Sequence, residues 1–553
     1  MTDQLIIALA QINPTVGDLS GNVERIRAAA KEATKGDADL VVYGELVVSG
    51  YPPEDLVLKP AFQDAVEQAV NDLAADTGDG GPGLLISAPW RIDNVLYNAA
   101  LMLDGGEVTA VRLKHELPNY GVFDEKRVFA PGPLPGPVSF RGVRLGVMVC
   151  EDMWFPEVAE CLDESGAEIF VVLNGSPFET DKLDERLNFA VARTSEAGLP
   201  LIYVNLVGGQ DELVFDGGSF VLGADHSLRA KARPFVDEVL LTEWHRVSNV
   251  WVCDQGALAS DGELLEATYR AMVLGLRDYV GKSGFPGVIL GMSGGIDSAL
   301  SAAVAVDALG PDRVHCVMLP SPYTSQDSLE DASECADYLG ARLDQVSIEP
   351  AMQAFAAMLV DQFKGTESDT TEENIQARSR GIALMALSNK FGSMVLSTGN
   401  KSEMSVGYST LYGDMCGGYS VLKDVYKTTV YALASWRNEH KPVGVWGPNG
   451  RVIPERIITK APTAELKPDQ TDQDNLPPYD QLDDILYCLI EEDLALADIV
   501  ARGHEESTVL QVWRMLDLAE YKRRQAPPGV KTTRRAFGRD RRYPITNGFR
   551  SQI

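Results

Sequence analysis

"GVILGMSGGIDSALSAAVAVDAL" spans residues 287–309, and its reading decides the fold of the second half of the chain. "GVILGM" is an apolar run of the kind buried on both faces of a parallel sheet. "ALSAAVAVDAL" reads as a helix of small residues, and "SGGIDS" is the tight turn between them. A strand–glycine loop–helix unit aims free backbone N–H groups and the positive end of a helix at one point, which makes an anion site. Gly294 and Gly295 allow close approach and positive φ. Ser293 and Ser298 add hydroxyl donors. Asp297 repels a phosphate, so a metal ion bridging the two accounts for its presence. A Walker loop, GxxxxGK[ST], is absent. A plain βα turn capped by Ser or Asp has the same local look.

Outward from this loop the pattern repeats. From about residue 263 come the helix "LLEATYRAMVLGLRDYVGKSG", then the strands "RVHCVMLP" and "MVLSTG" with helices between them. This βαβ alternation predicts a parallel α/β sheet over 263–553. Residues 1–245 also alternate strand-like runs ("LIIALAQI", "LVVYGEL", "RLGVMVC", "IFVVLNG", "LIYVNLVG") with helical ones ("GNVERIRAAAKEAT", "LNFAVARTSEAG"), and predict a separate layered α/β domain. Residues 246–262 lack sustained periodicity and read as a linker. A chain of 553 residues is long enough for two cores of roughly 250 residues each.

Composition narrows the classes. With 49 Lys and Arg against 80 Asp and Glu, the formal net charge is −31, which disfavours nucleic acid and anionic membranes as partners. The seven cysteines are odd in number and have no CxxC spacing. That argues against a disulfide framework or structural zinc and for a reducing compartment. The start "MTDQLIIALAQ" reads as a first strand and not as a signal peptide. No run approaches the roughly 20 apolar residues of a membrane span. The expectation is a cytoplasmic protein. The stretch 528–553 is basic against this acidic background, and it fits either an anionic ligand or an acidic neighbouring subunit.

"SGGIDS" resembles the PP-loop of the ATP pyrophosphatases, which split ATP into AMP and pyrophosphate to activate a carboxyl or related group. Further strings add to it: "TEENIQARSRGIALMALSN" (371–389), "LSTGNKSEMSVGYSTLYGDMCGGYSVLKDVYKTTVY" (396–431), "PTAEL" (462–466) and "FGRDRRYPIT" (537–546). On one helix Asn374 and Arg378 lie four apart and share a face. Glu403 and Asp414 are placed on loops after a strand, and Lys423 and Lys427 make a small basic face. Together these strings resemble NAD synthetases. The resemblance implies substrates ATP and deamido-NAD, Mg²⁺ and no tightly bound organic cofactor. It implies adenylation of the nicotinate carboxylate, followed by displacement of AMP by ammonia. It assigns Gly291, Met292, Ser293, Gly294, Gly295, Ile296, Asp297, Ser298, Thr398 and Lys427 to ATP. It assigns Asn374, Arg378, Glu403, Asp414 and Lys531 to deamido-NAD, and Asp297 and Glu403 to the metal. It also implies a homo-oligomer, at least a dimer through this domain.

In the first half, "RLGVMVC" is an apolar strand ending at Cys150. A cysteine there is ordinarily a small buried hydrophobe, and Glu151 and Asp152 beside it disfavour a thiolate. His115, His226 and His245 leave a Cys–His dyad thinly supported. A trio of strand-end residues fits better: Glu45 to take the thiol proton, Lys114 to hold the thiolate and stabilise an oxyanion, and Cys150 as nucleophile. "YGELVVSGYPPEDL", "KHELPNYGVFDEKRVF" and "CEDMW" resemble the nitrilase (carbon–nitrogen hydrolase) superfamily with its Glu–Lys–Cys triad. In particular they resemble its glutamine-hydrolysing members fused to NAD synthetases. That resemblance implies a four-layer αββα sandwich and a glutamyl thioester. It implies a supporting carboxylate at Glu125, and glutamine contacts at Tyr120, Ser176 and Lys182. Ammonia made in one half and used in the other implies an internal passage. Three other readings stay open on the residues: an ammonia-only synthetase with a structural first half, a PP-loop ligase or sulfurtransferase for another substrate, and an amidohydrolase with a regulatory nucleotide-binding half.

Overall fold

The computed structural model describes residues 3–180, 182–467 and 470–549. It separates into two compact units, the first ending at Gly262 and the second starting at Glu263.

In the first unit, side-chain alternation along each strand builds four layers. Gln4–Gln11 sits inside a seven-stranded mixed sheet, parallel to Leu40–Tyr43 and antiparallel to Glu238–Val247. Leu5, Ile7 and Leu9 face one way with Leu40 and Val42. Ala8 and Ala10 face the other way with Val41 and Tyr43. The first set packs on Val143, Leu145, Val147 and Val149 and on Ile169, Val171 and Leu173 of a six-stranded sheet. The second set lies under the helices Leu19–Thr34 and Pro60–Asp76, through Ile26, Val66, Val70 and Leu73. The opposite face of the six-stranded sheet (Met148, Phe170, Val172, Tyr203) carries the helices Pro156–Glu164 and Lys182–Ala197. A period of two, apolar on both phases, demands burial on both faces, and the αββα sandwich supplies it.

The stretch 246–262 is not a bare linker. Glu238–Val247 runs into it, and Val250–Cys253 turns back to pair antiparallel at the edge of the seven-stranded sheet, with Trp251 and Cys253 buried between the sheets. A four-residue edge strand carries too little pattern to be read from sequence.

The second unit holds a five-stranded parallel sheet in the order Arg342–Gln345, Val314–Met318, Val288–Gly291, Met394–Ser397, Tyr419–Ser420. The strand order reverses at Val288–Gly291, and in open α/β sheets the crevice beyond such a switch point is where ligands bind. The glycine loop follows that strand directly. Gly294 has φ +81, and a Cβ there would lie 2.3 Å from the Ser328 carbonyl oxygen, so a side chain is excluded on two counts. The helix Ile296–Leu309 after the loop is anchored at its far end. Asp307 accepts from the Tyr269 hydroxyl (2.6 Å) and from Arg437 Nε and Nη2 (2.6 and 3.0 Å). Tyr269 comes from Leu264–Lys282 and Arg437 from Lys427–Glu439. Among the described residues no helix is long and apolar enough to cross a membrane.

Asp307→Ala strips the counter-ion from a buried guanidinium. It is expected to destabilise the second unit by about 3–5 kcal/mol, read as a lower denaturant midpoint. A loss well under 1 kcal/mol would mean that water screens the pair and that it does not anchor the helix.

Candidate active sites

Three strand ends converge in the first unit. Leu40–Tyr43 leads to Glu45, Glu107–Leu113 to Lys114, and Val143–Val149 to Cys150. The first two belong to the seven-stranded sheet and the third to the six-stranded one, so both facing sheets contribute. Lys114 Nζ is fully buried and donates to Glu45 Oε1 (2.6 Å) and Glu125 Oε1 (2.9 Å). Glu45 Oε1 also accepts from Asn98 Nδ2 (2.7 Å), and its Oε2 accepts from the Gly175 N–H (3.1 Å). The Tyr51 hydroxyl donates to Glu125 Oε1 (2.8 Å). Cys150 has φ +47, a conformation that costs a non-glycine residue of order 1–3 kcal/mol. Its backbone turns out of the strand into the short turn Cys150–Met153.

Electrostatics agrees with the geometry. Burial pushes the Cys150 thiol well above its usual range, and the Glu45, Glu151 and Glu125 charges add to this while Lys114 opposes them. Burial alone would lower the Lys114 ammonium, but Glu125, Glu45 and Cys150 hold it well above its usual range. Burial raises the Glu125 carboxyl, against the pull of Lys114. Asp152 has a different task from the one its position beside Cys150 suggests. Its carboxylate accepts the N–H groups of Val149, His115 and Glu116 (2.8–3.0 Å), pinning the Cys150 strand end to the Lys114 segment. The histidines of this unit have other partners: His115 Nδ1 meets the Gly132 carbonyl (2.7 Å), His226 meets Ser195, and His245 pairs with Asp254.

At the rim, the Tyr120 hydroxyl donates to Glu151 (3.0 Å). Lys182 Nζ lies over the rings of Phe123 and Trp154 at 5.4 and 5.9 Å. Ser176 is held from behind: its Oγ accepts from Arg186 Nε (3.1 Å), and Arg186 forms a buried two-bond pair with Asp216.

In the second unit a cavity of about 670 Å³ opens beyond the strand ends. All of Gly291 to Ser298 line it, with Asn374, Thr398, Glu403, Asp414 and Lys427. Within the loop Ser293 Oγ and Ser298 Oγ lie 3.0 Å apart, and Ser298 Oγ donates to the Gly295 carbonyl (2.9 Å). Lys427 Nζ bridges Asp297 Oδ2 (2.5 Å) and Glu403 Oε1 (2.9 Å). Asn400 Nδ2 donates to Asp297 Oδ1 (2.8 Å), while Asn400 Oδ1 caps the helix Lys401–Val406 by accepting the Glu403 N–H (3.0 Å). Glu403 therefore sits on a short helix and not on a loop, and burial raises its carboxyl to about 7 against the pull of Lys427. Burial also raises Asp414, to about 6. Lys427 opens the helix Lys427–Glu439 while Lys423 lies in the preceding turn, so the expected Lys423–Lys427 helical face does not form.

Two sequence-expected contacts stand apart from the cavity lining. Arg378 donates Nε to the Leu411 carbonyl (3.2 Å). Lys531 is buried, donates to the Thr533 and Arg534 carbonyls, and pairs with Asp540 (3.1 Å). Sequence reasoning missed Asn98, Tyr51 and Asn400. Tyr51 and Asn400 lie inside the quoted motif strings, whereas Asn98, on a strand remote from the motifs, left no signal.

Asp297 and Glu403 offer hard carboxylate oxygens at one point. Among the described residues no group of three or more His, Cys, Asp or Glu is placed to hold a metal. A two-carboxylate site suits Mg²⁺, which keeps waters and takes its other oxygens from nucleotide phosphates, and does not suit a closed zinc cage.

Residues 6–248 match the carbon–nitrogen hydrolase family and residues 268–526 the NAD synthase family. The glutamine-dependent NAD(+) synthetase of Rhodobacter capsulatus is 50% identical over the full length of both chains. That of Xanthomonas campestris pv. campestris is 48% identical, over 99% of this chain and 98% of its own. A structure of the glutamine-dependent NAD+ synthetase of Acinetobacter baumannii in complex with ADP superimposes with a TM-score of 0.79 at 43% identity, covering 99% of each chain. With the triad at the strand ends of one unit and the glycine-loop cavity in the other, this chain belongs to the glutamine-dependent NAD+ synthetases.

Proposed function

We propose that the first unit hydrolyses glutamine at Cys150 and that the second uses the ammonia, with ATP, to convert deamido-NAD to NAD. The observation that carries this reading is the strained, buried Cys150 within electrostatic reach of Lys114, which is held between two carboxylates.

In the first unit Glu45 takes the thiol proton as Cys150 Sγ attacks the amide carbon of glutamine. Lys114 stabilises the oxyanion, and it stays protonated because Glu125 and Glu45 hold its charge. Glu45 passes the proton to the departing nitrogen. Ammonia leaves and a glutamyl thioester remains. Water, deprotonated by Glu45, then cleaves the thioester to glutamate and free thiol. Tyr120, Ser176 and Lys182 are assigned to the glutamine backbone, where the Lys182 ammonium and the Ser176 hydroxyl suit an α-carboxylate.

In the second unit the nicotinate carboxylate attacks the α-phosphorus of ATP and pyrophosphate departs. Ammonia then adds to the acyl-adenylate carbon and AMP leaves, giving the amide. The loop from Gly291 to Ser298, with Thr398 and Lys427, is assigned to ATP. Asn374, Arg378, Glu403, Asp414 and Lys531 are assigned to deamido-NAD; Arg378 and Lys531 fit this assignment only on a face away from the cavity lining. A Mg²⁺ ion held by Asp297 and Glu403 would neutralise phosphate charge, with Lys427 as the alternative partner of both carboxylates. An assembly of at least two copies and a cytoplasmic location belong to the same reading.

Cys150→Ala and Glu45→Gln are each expected to lower glutamine-dependent NAD formation by more than about a hundredfold, while ammonium-dependent NAD formation stays within about twofold of wild type. Retained glutamine use in Cys150→Ala would make the cysteine structural. Because the thiol is held up, its alkylation by iodoacetamide should keep accelerating beyond pH 9, without a plateau at lower pH. A plateau below pH 8, tracked on the Cys150 peptide by mass spectrometry, would show a resting thiolate and reverse the proton assignment.

A further inference from the structure

Glu45, Lys114 and Glu125 are all touched by one further residue, Asn98, which is fully buried and carries no charge. It lies on the strand Val95–Asp104, between Gly83–Ile92 and Glu107–Leu113 in the seven-stranded sheet. Its backbone carbonyl accepts the Lys114 N–H (2.8 Å). Its side-chain Nδ2 donates to Glu45 Oε1 (2.7 Å) and, over a longer reach, to Glu125 Oε2 (3.4 Å). The Ser87 hydroxyl donates to Asn98 Oδ1 (3.4 Å), which fixes the end of the amide that faces the carboxylates.

The two oxygens of Glu45 are unequally occupied. Oε1 accepts from Lys114 Nζ (2.6 Å) and from Asn98, which uses both of its lone pairs. Among the described residues Oε2 accepts only the Gly175 N–H (3.1 Å) and keeps one lone pair. A proton from the Cys150 thiol therefore has one place to land on this carboxylate. Without Asn98, Oε1 would offer a second place, beside Glu125, and two neighbouring carboxylates readily share a proton. A proton held there would be out of reach of the departing nitrogen. The titratable groups that feel the Glu45 charge are Lys114, Glu125, Cys150 and Tyr51. Asn98 adds donors to this group without adding a charge to it.

We propose that Asn98 is a positioning residue for the base of the first unit: it keeps Glu45 Oε1 closed to protons and so directs the Cys150 thiol proton to Oε2. The S–H bond breaks as the O–H bond forms on Oε2, and the sulfur electron pair goes to the amide carbon of glutamine. The proton then leaves Oε2 for the departing nitrogen. This assignment rests on the proposed glutamine-hydrolysing reading.

The test measures glutamate release from glutamine at saturating ATP and deamido-NAD, and separately NAD formation from ammonium, in full-length Asn98→Asp and Asn98→Ala. Asp keeps the shape of Asn but replaces its two amide donors, whereas Ala removes donors and shape together. Both variants are expected to lower kcat for glutamate release roughly tenfold to a hundredfold, the weight of one hydrogen bond to a charged group. The KM for glutamine and the ammonium-dependent rate should stay within about twofold of wild type. In Asn98→Ala the acid limb of kcat/KM for glutamine is expected to move to higher pH, because a carboxylate that loses a donor takes up a proton more readily. Melting temperatures within a few degrees of wild type would exclude misfolding as the cause, and if Asn98→Asp does not fold, the acid limb of Asn98→Ala decides alone. Near-wild-type glutamate release in Asn98→Asp would make Asn98 a space-filling residue. A loss confined to the KM for glutamine, or an acid limb that stays in place, would also overturn the assignment. Glutamate release retained by Cys150→Ala would instead sink the glutamine-hydrolysing reading on which it rests.

Discussion

An ammonium group cut off from water persists only where carboxylates surround it, and both sites of this protein are built on that constraint. Lys114 stands between Glu45 and Glu125, and Lys427 between Asp297 and Glu403. In each trio one positive charge meets two negative ones. The excess negative charge raises Glu125 in the first site and Glu403 in the second, with burial as the main cause. The first trio is closed on itself by Asn98 and Tyr51. The second lines an open cavity. On the proposed reading the same arrangement would serve as a fixed proton-handling device in one unit and as an exchangeable set of ligands in the other.

Backbone scaffolding makes these trios affordable. In the first unit Glu45 and Lys114 stand just beyond the ends of strands, so the rigid inter-sheet core fixes their spacing, while Glu125 opens the short turn Glu125–Arg127 in the loop that follows Lys114. In the second, Asn400 ties Asp297 to the helix that carries Glu403, and Asp307 moors the far end of the glycine-loop helix to the helix that Lys427 begins. Position is set by elements that the hydrophobic pattern dictates, and the polar residues need only occupy their ends.

Much of this was legible in the residues. Apolar runs on both phases of a strand announced sheets covered on both faces, and "SGGIDS" announced a backbone anion site. Glu45, Lys114 and Cys150 were each ordinary alone and became informative only in their motifs. What escaped notice depends on tertiary direction. Arg378 was paired with Asn374 by helical spacing, yet the cavity stripe on Thr370–Phe391 runs through Thr370, Asn374, Ala377, Gly381 and Leu384. Arg378 lies just past its edge and turns to the Leu411 carbonyl, while Arg380 falls inside it. Asn98 and Asp152 act through partners remote in sequence, and nothing local marks them. The edge strand at 250–253 is too short to show a period.

The pairing of Gln4–Gln11 with Glu238–Val247 carries a consequence for how the chain is made. The first strand of the first unit, an interior strand of its sheet, takes one of its two neighbours from the far end of that unit. Loop closure over such a span is slow, and during synthesis the strand's free edge waits unpaired until residue 247 has left the ribosome. The second unit's first helix follows close behind. The interval in which one unit is sealed before the other begins is therefore short, and until then the unpaired edge of Gln4–Gln11 is open to pairing with another chain.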